Sequence, residues 1–419
     1  MRKFKALLLI IFIFFSSCTF STSNNQTFTL IPEEKEIELG KLYTFSSIDE
    51  FEGLYPEKEI QNYLNEVGFK ISKVTDRNLP YKFYLVNSGI VNAFALPGGP
   101  IIITRGLFLK LYNESQLAGV LAHELGHINA RHHVKFLEKQ LALSLILQVG
   151  SLLVPDDLKG EILLQLGQIS ASLLALKFSR DQEREADRYG FLYAFKAGYS
   201  PEGMIEVFET FKNLEKKYPP EWLSTHPLPE SRIEEAKNYI VTFKPSGAVV
   251  KDTQKFHVMK NLLIQTEKSY EYVEKGKKAY KDKNFNFAKE HFKEAINLYP
   301  KNTVALVYLS DISLKENNLD NAKYYIDLAI KHDPQFFTAN LLAGIVYFKL
   351  KDFEEALNFF EKGKTLVPFN GISFYYAGRT YEEKRNIKLA LQNYEKALEI
   401  GPKNAEWYQD CYKRYISLK

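Results

Sequence analysis

Four prolines, Pro300, Pro334, Pro368 and Pro402, recur at an interval of 34 residues, and Ala288, Ala322, Ala356 and Ala390 keep the same register. Two further small positions (Ala295, Ala329, Gly363, Ala397 and Gly276, Ser310, Gly344, Gly378) and one large apolar position (Phe292, Ile326, Phe360, Tyr394) share that period. An interval of this length holds two helices and their turns, and neither helix can bury its apolar face alone. Small residues let the paired helices approach, and the large residue fills the gap between them. Residues 268–402 therefore predict four stacked helical hairpins. Residues 403–419, with a helix over Asn404–Leu418, close the last apolar face.

This is the pattern of a tetratricopeptide solenoid, whose concave surface suits an extended segment or a partner protein. The remaining two thirds of the chain must carry any chemistry. Its strongest signal is His123-Glu124-Leu125-Gly126-His127. Residues four apart share a helix face, so the two imidazoles can offer nitrogens to one Zn²⁺. Glu124, beside that face, can take a proton from water whose pKa the metal lowers to about 7. A third ligand must come from elsewhere.

Composition is ordinary for a globular protein, with 45% hydrophobic and 25% charged residues. The formal charge of +4 includes Arg2, Lys3 and Lys5, which belong to a leader; without them it is about +1, and no nucleic-acid partner is implied. Met1–Lys5 is basic and Ala6–Phe15 is an unbroken apolar run, too short for an ordinary membrane span, so residues 1–17 read as an export signal. Phe15-Ser16-Ser17-Cys18 is similar to a lipobox with a non-standard Phe, which makes Cys18 a candidate for lipidation and membrane tethering. That leaves Cys411 without a disulfide partner, so stability rests on packing. Residues 18–30, polar in composition, read as a tether.

Glu57–Thr75 carries Ile60, Leu64, Val67, Ile71 and Val74 at helical spacing. Tyr81–Val86, Val91–Leu96 and Ile101–Thr104 predict three short strands. Asn113 and Gln116 form a capping-box start for a helix over Glu114–Glu138. Projected along that helix, His132 lies about 180° and His133 about 80° from His123, which places both off the ligand face and at the surface. Leu141–Val154 and Ile162–Leu176 are apolar but too short to cross a bilayer, so residues 141–176 suggest a hairpin over the cleft that touches lipid. In Glu183-Arg184-Glu185-Ala186-Asp187 the first and last residues share a face, so that Glu183 can bind metal while Asp187 orients a histidine; Glu185 is also available. His226 sits in Ser224-Thr225-His226-Pro227-Leu228-Pro229, held on a loop by its prolines. Residues 246–267 read as a charge-rich linker.

Taken in order, Asn92-Ala93-Phe94-Ala95-Leu96-Pro97-Gly98-Gly99, the His123–His127 motif, Glu183–Asp187 and Ser224–Pro227 resemble the zinc metallopeptidases typified by HtpX, Oma-type and Ste-type proteases, closest to the periplasmic BepA-like branch. The resemblance covers about residues 31–245. It implies a chain that is mainly α with a small sheet: an α+β gluzincin metallopeptidase domain followed by the all-α solenoid. It makes His123, His127 and Glu183 the ligands of one Zn²⁺, Glu124 the general base, Asp187 the partner of a histidine ligand, and His226 a residue that either stabilises the oxyanion or closes the fourth metal position. Asn92–Leu96 becomes an edge strand that pairs with extended substrate. The implied substrates are misassembled envelope proteins, with contact to β-barrel assembly machinery through the repeats. The alternative is an envelope assembly chaperone or scaffold with a latent or structural zinc site.

Overall fold

Among the residues described by the computed structural model (29–150, 176–215, 220–227, 230–243 and 249–419, with side chains 142–150 and 243 excepted), Glu33 onward forms one compact unit. The expected signal, Cys18 and most of the tether lie outside the described residues, as does most of the expected 141–176 hairpin. No helix of the described residues is long and apolar enough to cross a membrane.

The three expected strands form β1 (Lys82–Val86), β2 (Ala93–Ala95) and β3 (Pro100–Thr104), in the order β1-β3-β2. β3 runs parallel to β1 and antiparallel to β2, which pairs Phe94 with Ile102 and leaves β2 at an edge. Helix Lys58–Ser72 buries Ile60, Leu64, Val67 and Ile71 as its spacing requires. A helix not anticipated from the sequence, Glu33–Glu50, docks on the Pro97-Gly98-Gly99 turn. Gly98 has φ of 74°, and a Cβ there would meet Ile37 Cα at 2.5 Å, so only glycine serves.

The motif helix spans Glu114–Asn129 and is capped by Asn113, which accepts from Gln116 N–H. Gln116 returns its side chain to Tyr112 N–H, one residue earlier than a capping box requires. The helix does not continue to Glu138. Arg131 takes φ of 56° and a second helix starts at His132. This turn overturns the surface placement of His132 and His133: a projection along one straight helix does not cross a left-handed residue, and both side chains are buried. Helix Arg180–Lys196, opened by a Ser179–Gln182 capping box, lies along the motif helix. Two glycines set that closeness. A Cβ on Gly126 would meet Ala186 O at 2.6 Å, and one on Gly190 would meet His123 backbone at 3.2 Å.

The repeats pair helices Gln254–Lys281 with Phe285–Leu298, Thr303–Lys315 with Leu319–His332, Phe337–Lys349 with Phe353–Leu366, and Gly371–Glu383 with Ile387–Ile400; Tyr408–Leu418 closes the array. A Cβ on Gly276, Gly344 or Gly378 would meet Phe292, Phe360 or Tyr394 at 2.6, 2.3 and 2.6 Å, which is the interlock the period implied. Each hairpin turns on a left-handed residue (Lys283, Asn317, Lys351, Arg385), again 34 apart, followed by an Asn or Asp cap. The linker reading is corrected over residues 254–267. These belong to the 28-residue helix Gln254–Lys281, and Phe256, Met259 and Leu263 enter the core of the N-terminal part. The repeats also return to that part: Leu54 N–H donates to Asp333 Oδ2 at 2.7 Å and Tyr270 OH to Asn87 Oδ1 at 2.5 Å. Cys411, on the inner face of the closing helix, is a buried free thiol.

Candidate active site

One helical turn separates His123 and His127, and their Nε2 atoms face each other at 3.1 Å. Glu183, delivered by helix Arg180–Lys196, stands with Oε1 3.4 Å from His127 Nε2 and Oε2 3.7 Å from His123 Nε2. His226 completes the group, its Nδ1 3.0 Å from Glu183 Oε1 and 3.3 Å from His123 Nε2. One donor atom from each of these four buried side chains lies within 4.8 Å of all the others.

The outer faces of the rings decide what the inner nitrogens can do. His123 Nδ1 is 3.0 Å from Asp187 Oδ1, an ion-pair distance without hydrogen-bond alignment; the nearby carboxylate favours the ring proton on Nδ1, which leaves the lone pair on Nε2. His127 Nδ1 is engaged by His132. Two imidazole nitrogens 3.1 Å apart beside a carboxylate form a cluster of donors that one cation can bridge, so this donor set fits a metal ion, and N,N,O donors suit zinc.

Charge around the cluster is balanced by residues that the sequence reading did not single out. Arg232, buried, places its guanidinium 2.5 Å from Glu183 Oε2, donates Nε–H and Nη2–H to the two oxygens of Asp187 at 2.8 Å each, and donates to Pro227 O at 2.7 Å. Burial by itself raises the Glu183 carboxyl. His226, the close approach of the His127 and His226 rings, and Arg232 overcome that and hold it well below the usual range. Burial lowers His127 well below its ordinary value. His226 is also pushed down by burial, but Glu183 and Glu124 outweigh this and raise it. Glu124 is raised by burial, against His226, His123 and an N–H from Trp222.

Trp222 occupies the one-turn helix Trp222–Thr225, stacks on His226 with ring centroids 4.6 Å apart, and donates Nε1–H to Glu124 Oε1 at 3.3 Å. Glu124 Oε2 is buried with no hydrogen-bond partner. Phe178 closes the opposite wall, 4.0 Å from the His127 ring, and its N–H donates to Thr225 O. The space remaining, lined by Asn92, Phe94, Ala95, Glu124, Phe178 and His226 among others, is about 10 Å³, room for roughly one water. A groove of about 470 Å³ between Lys70, Glu114, Tyr199 and Lys255 contains none of the cluster residues.

The six expected site residues are thus brought together. Glu185, which spacing alone left available, and His132, which it placed at the surface, also reach it, whereas His133 contributes only a buried ring pushed down to about 3 by desolvation. Two adjacent histidines just after a metal motif are the sequence trace of His132.

Residues 56–240 match Peptidase family M48, and residues 337–369 and 373–404 match a tetratricopeptide repeat. The chain is 31% identical over 244 residues to the beta-barrel assembly-enhancing protease of Escherichia coli (strain K12), covering 54% of this chain and 47% of that protein. It is 28% identical over 181 residues to Metalloprotease YcaL of the same organism (42% of this chain, 69% of that protein) and 35% identical over 154 residues to mitochondrial metalloendopeptidase OMA1 of Arabidopsis thaliana (37% and 30%). The chain spans about half the length of the beta-barrel assembly-enhancing protease it matches.

Proposed function

Because this chain carries a Peptidase family M48 domain followed by tetratricopeptide repeats, we propose that it is a zinc-dependent endopeptidase of the bacterial envelope that hydrolyses peptide bonds in misfolded or misassembled envelope proteins. The observation that carries this reading is the pair of Nε2 atoms of His123 and His127 facing each other at 3.1 Å beside Glu183. These three residues would hold the ion. Zinc bound there supplies Lewis-acid polarisation of a scissile carbonyl and acidifies water.

Glu124 is the general base. Trp222 holds Oε1, which leaves Oε2 unpaired and able to receive a proton, and its raised pKa brings it nearer to neutrality. Asp187 fixes the tautomer of His123, and Arg232 keeps Asp187 in place. Substrate adds to β2 as a further strand. In the β2–β3 ladder Asn92 and Leu96 are hydrogen-bonded to β3, so the alternate residues Ala93 and Ala95 turn their backbone groups to the free edge, and Ala95 borders the cleft. Main-chain pairing reads no side chains, which gives loose sequence preference. His226 restrains the enzyme by taking the fourth position: it already lies among the ligands, and the cleft has room for little else.

The repeats dock substrate or a partner. The E. coli relative's name couples proteolysis to β-barrel assembly, and we extend outer-membrane β-barrel proteins and their assembly machinery to this chain on that basis. The basic and apolar leader with Cys18 supports export and a lipid tether in the periplasm. In the test, the mature chain is assayed for bound metal and for cleavage of an unfolded β-barrel protein, alongside Glu124→Gln. Zinc retained with cleavage reduced about 10²–10⁴-fold is expected. Zinc retained with no Glu124-dependent cleavage, in the His226→Ala background as well, selects the assembly scaffold instead.

A further inference from the structure

We infer that His132 and Glu185 are positioning residues that lock His127 into its metal-binding tautomer, an inference that rests on the metal-site reading above. His132 Nδ1 lies 2.9 Å from His127 Nδ1, and His132 Nε2 lies 3.2 Å from Glu185 Oε2. The three side chains form a chain of hydrogen bonds in which one proton assignment dictates the next. A carboxylate oxygen accepts, so the His132 proton sits on Nε2, facing Glu185. His132 Nδ1 then carries a lone pair and can only accept. The proton between the two rings therefore belongs to His127 Nδ1, and the lone pair of His127 is directed from Nε2 toward His123 and Glu183. The opposite assignment would place a proton on His127 Nε2, where a metal must bind.

Fold geometry explains why two residues are needed. His123 faces helix Arg180–Lys196 and meets Asp187 directly. Among the described residues His127, one turn on, meets no carboxylate on its outer side. The left-handed turn at Arg131 swings His132 back over it, and His132 spans the remaining distance to Glu185. Phe178, packed on His127 at 4.0 Å and His132 at 5.9 Å between ring centroids, walls this contact from solvent. Within five residues, one helix thus supplies Glu183 to the cluster, Glu185 to the His127 chain and Asp187 to His123. Ring N–H partners of metal-bound histidines typically change metal affinity 10–100-fold when removed.

The test measures zinc affinity of the full-length mature chain by chelator competition, with zinc alone as the probe. His132→Leu should bind about 10–100-fold more weakly than wild type, and Glu185→Ala, whose side chain is 46% exposed and whose loss leaves the fold intact, about 10-fold more weakly. His132→Asn, whose amide oxygen can take the place of Nδ1 as acceptor, should recover most of the affinity. The control His257→Ala, removing an exposed histidine paired with Asp252, should change nothing. Nitrogen NMR of the zinc-bound chain should report His127 protonated at Nδ1 in wild type and His132→Asn. Wild-type affinity in both His132→Leu and Glu185→Ala, or His127 protonated at Nε2, overturns the inference while the metal site stands. Absence of stoichiometric zinc from wild type itself overturns the metal site, and this inference with it.

Discussion

Replacing Arg232 by methionine isolates the electrostatic part of the site. The guanidinium is buried and faces four oxygens: Glu183 Oε2 at 2.5 Å, both oxygens of Asp187 at 2.8 Å, and Pro227 O at 2.7 Å. Methionine fills much of the same volume, so the cavity contribution is small. What remains is two buried carboxylates that lose the arginine paired with both. Removing one partner of a buried ion pair costs about 3–5 kcal/mol, because the other charge is left uncompensated. At about 1.4 kcal/mol per decade this raises the unfolded population by roughly two to four orders of magnitude, against a typical total of about 5–15 kcal/mol. The assay is urea unfolding of zinc-free protein, followed by fluorescence and circular dichroism, for wild type, Arg232→Met and Arg232→Lys. The lysine variant should fall between the other two, since one ammonium cannot span both Asp187 oxygens in parallel. Added zinc should narrow the gap by returning positive charge to Glu183. A zinc-free Arg232→Met chain within about 1 kcal/mol of wild type would refute the claim that Arg232 carries the charge balance of the site.

His226→Ala should cleave unfolded substrate faster than wild type while retaining zinc, because the remaining three ligands are untouched; slower cleavage would reassign His226 to oxyanion stabilisation. Asp333, buried where the first repeats meet the Leu54 loop, is pushed up to about 6 by desolvation against N–H donors from Leu54 and Gln335. Its folded state therefore favours the protonated acid. The associated stabilisation is complete below the unfolded value of 3.8 and is lost as pH rises through about 6. Wild type should consequently lose up to ~3 kcal/mol relative to Asp333→Asn between pH 4 and pH 7 in urea unfolding, and parallel stability curves for the two proteins would count against this.

The features that could be read from the sequence are those in which one residue type repeats for one local reason. The 34-residue period required small and large side chains to interlock, and Gly344 against Phe360 does so. The two histidines four apart needed only a regular helix turn, and three strands followed from alternating apolar runs bounded by glycine and proline. Helix Glu33–Glu50 could not be found that way, because its buried face includes Glu36, Gly40, Thr44 and Ser47 and so shows no apolar period. Its anchor is an ion pair between Glu36 and Arg77, 41 residues away. Arg232 and Trp222 were equally hidden: each is defined by what long-range folding places beside it, and an arginine in an otherwise amphipathic helix reads as surface. His132 was misplaced for a different reason. One left-handed residue, Arg131, reset the helix direction, and no projection over a continuous helix survives such a turn.

The proposed metal site depends most directly on Glu183 as the third zinc ligand, and the metal content of Glu183→Gln tests it. Glutamine preserves the size of the side chain but removes its charge. The mature wild-type chain should carry one zinc per molecule, and Glu183→Gln, checked for folding by circular dichroism, should carry little under the same chelator challenge. Equal zinc in the two proteins would contradict the assigned site.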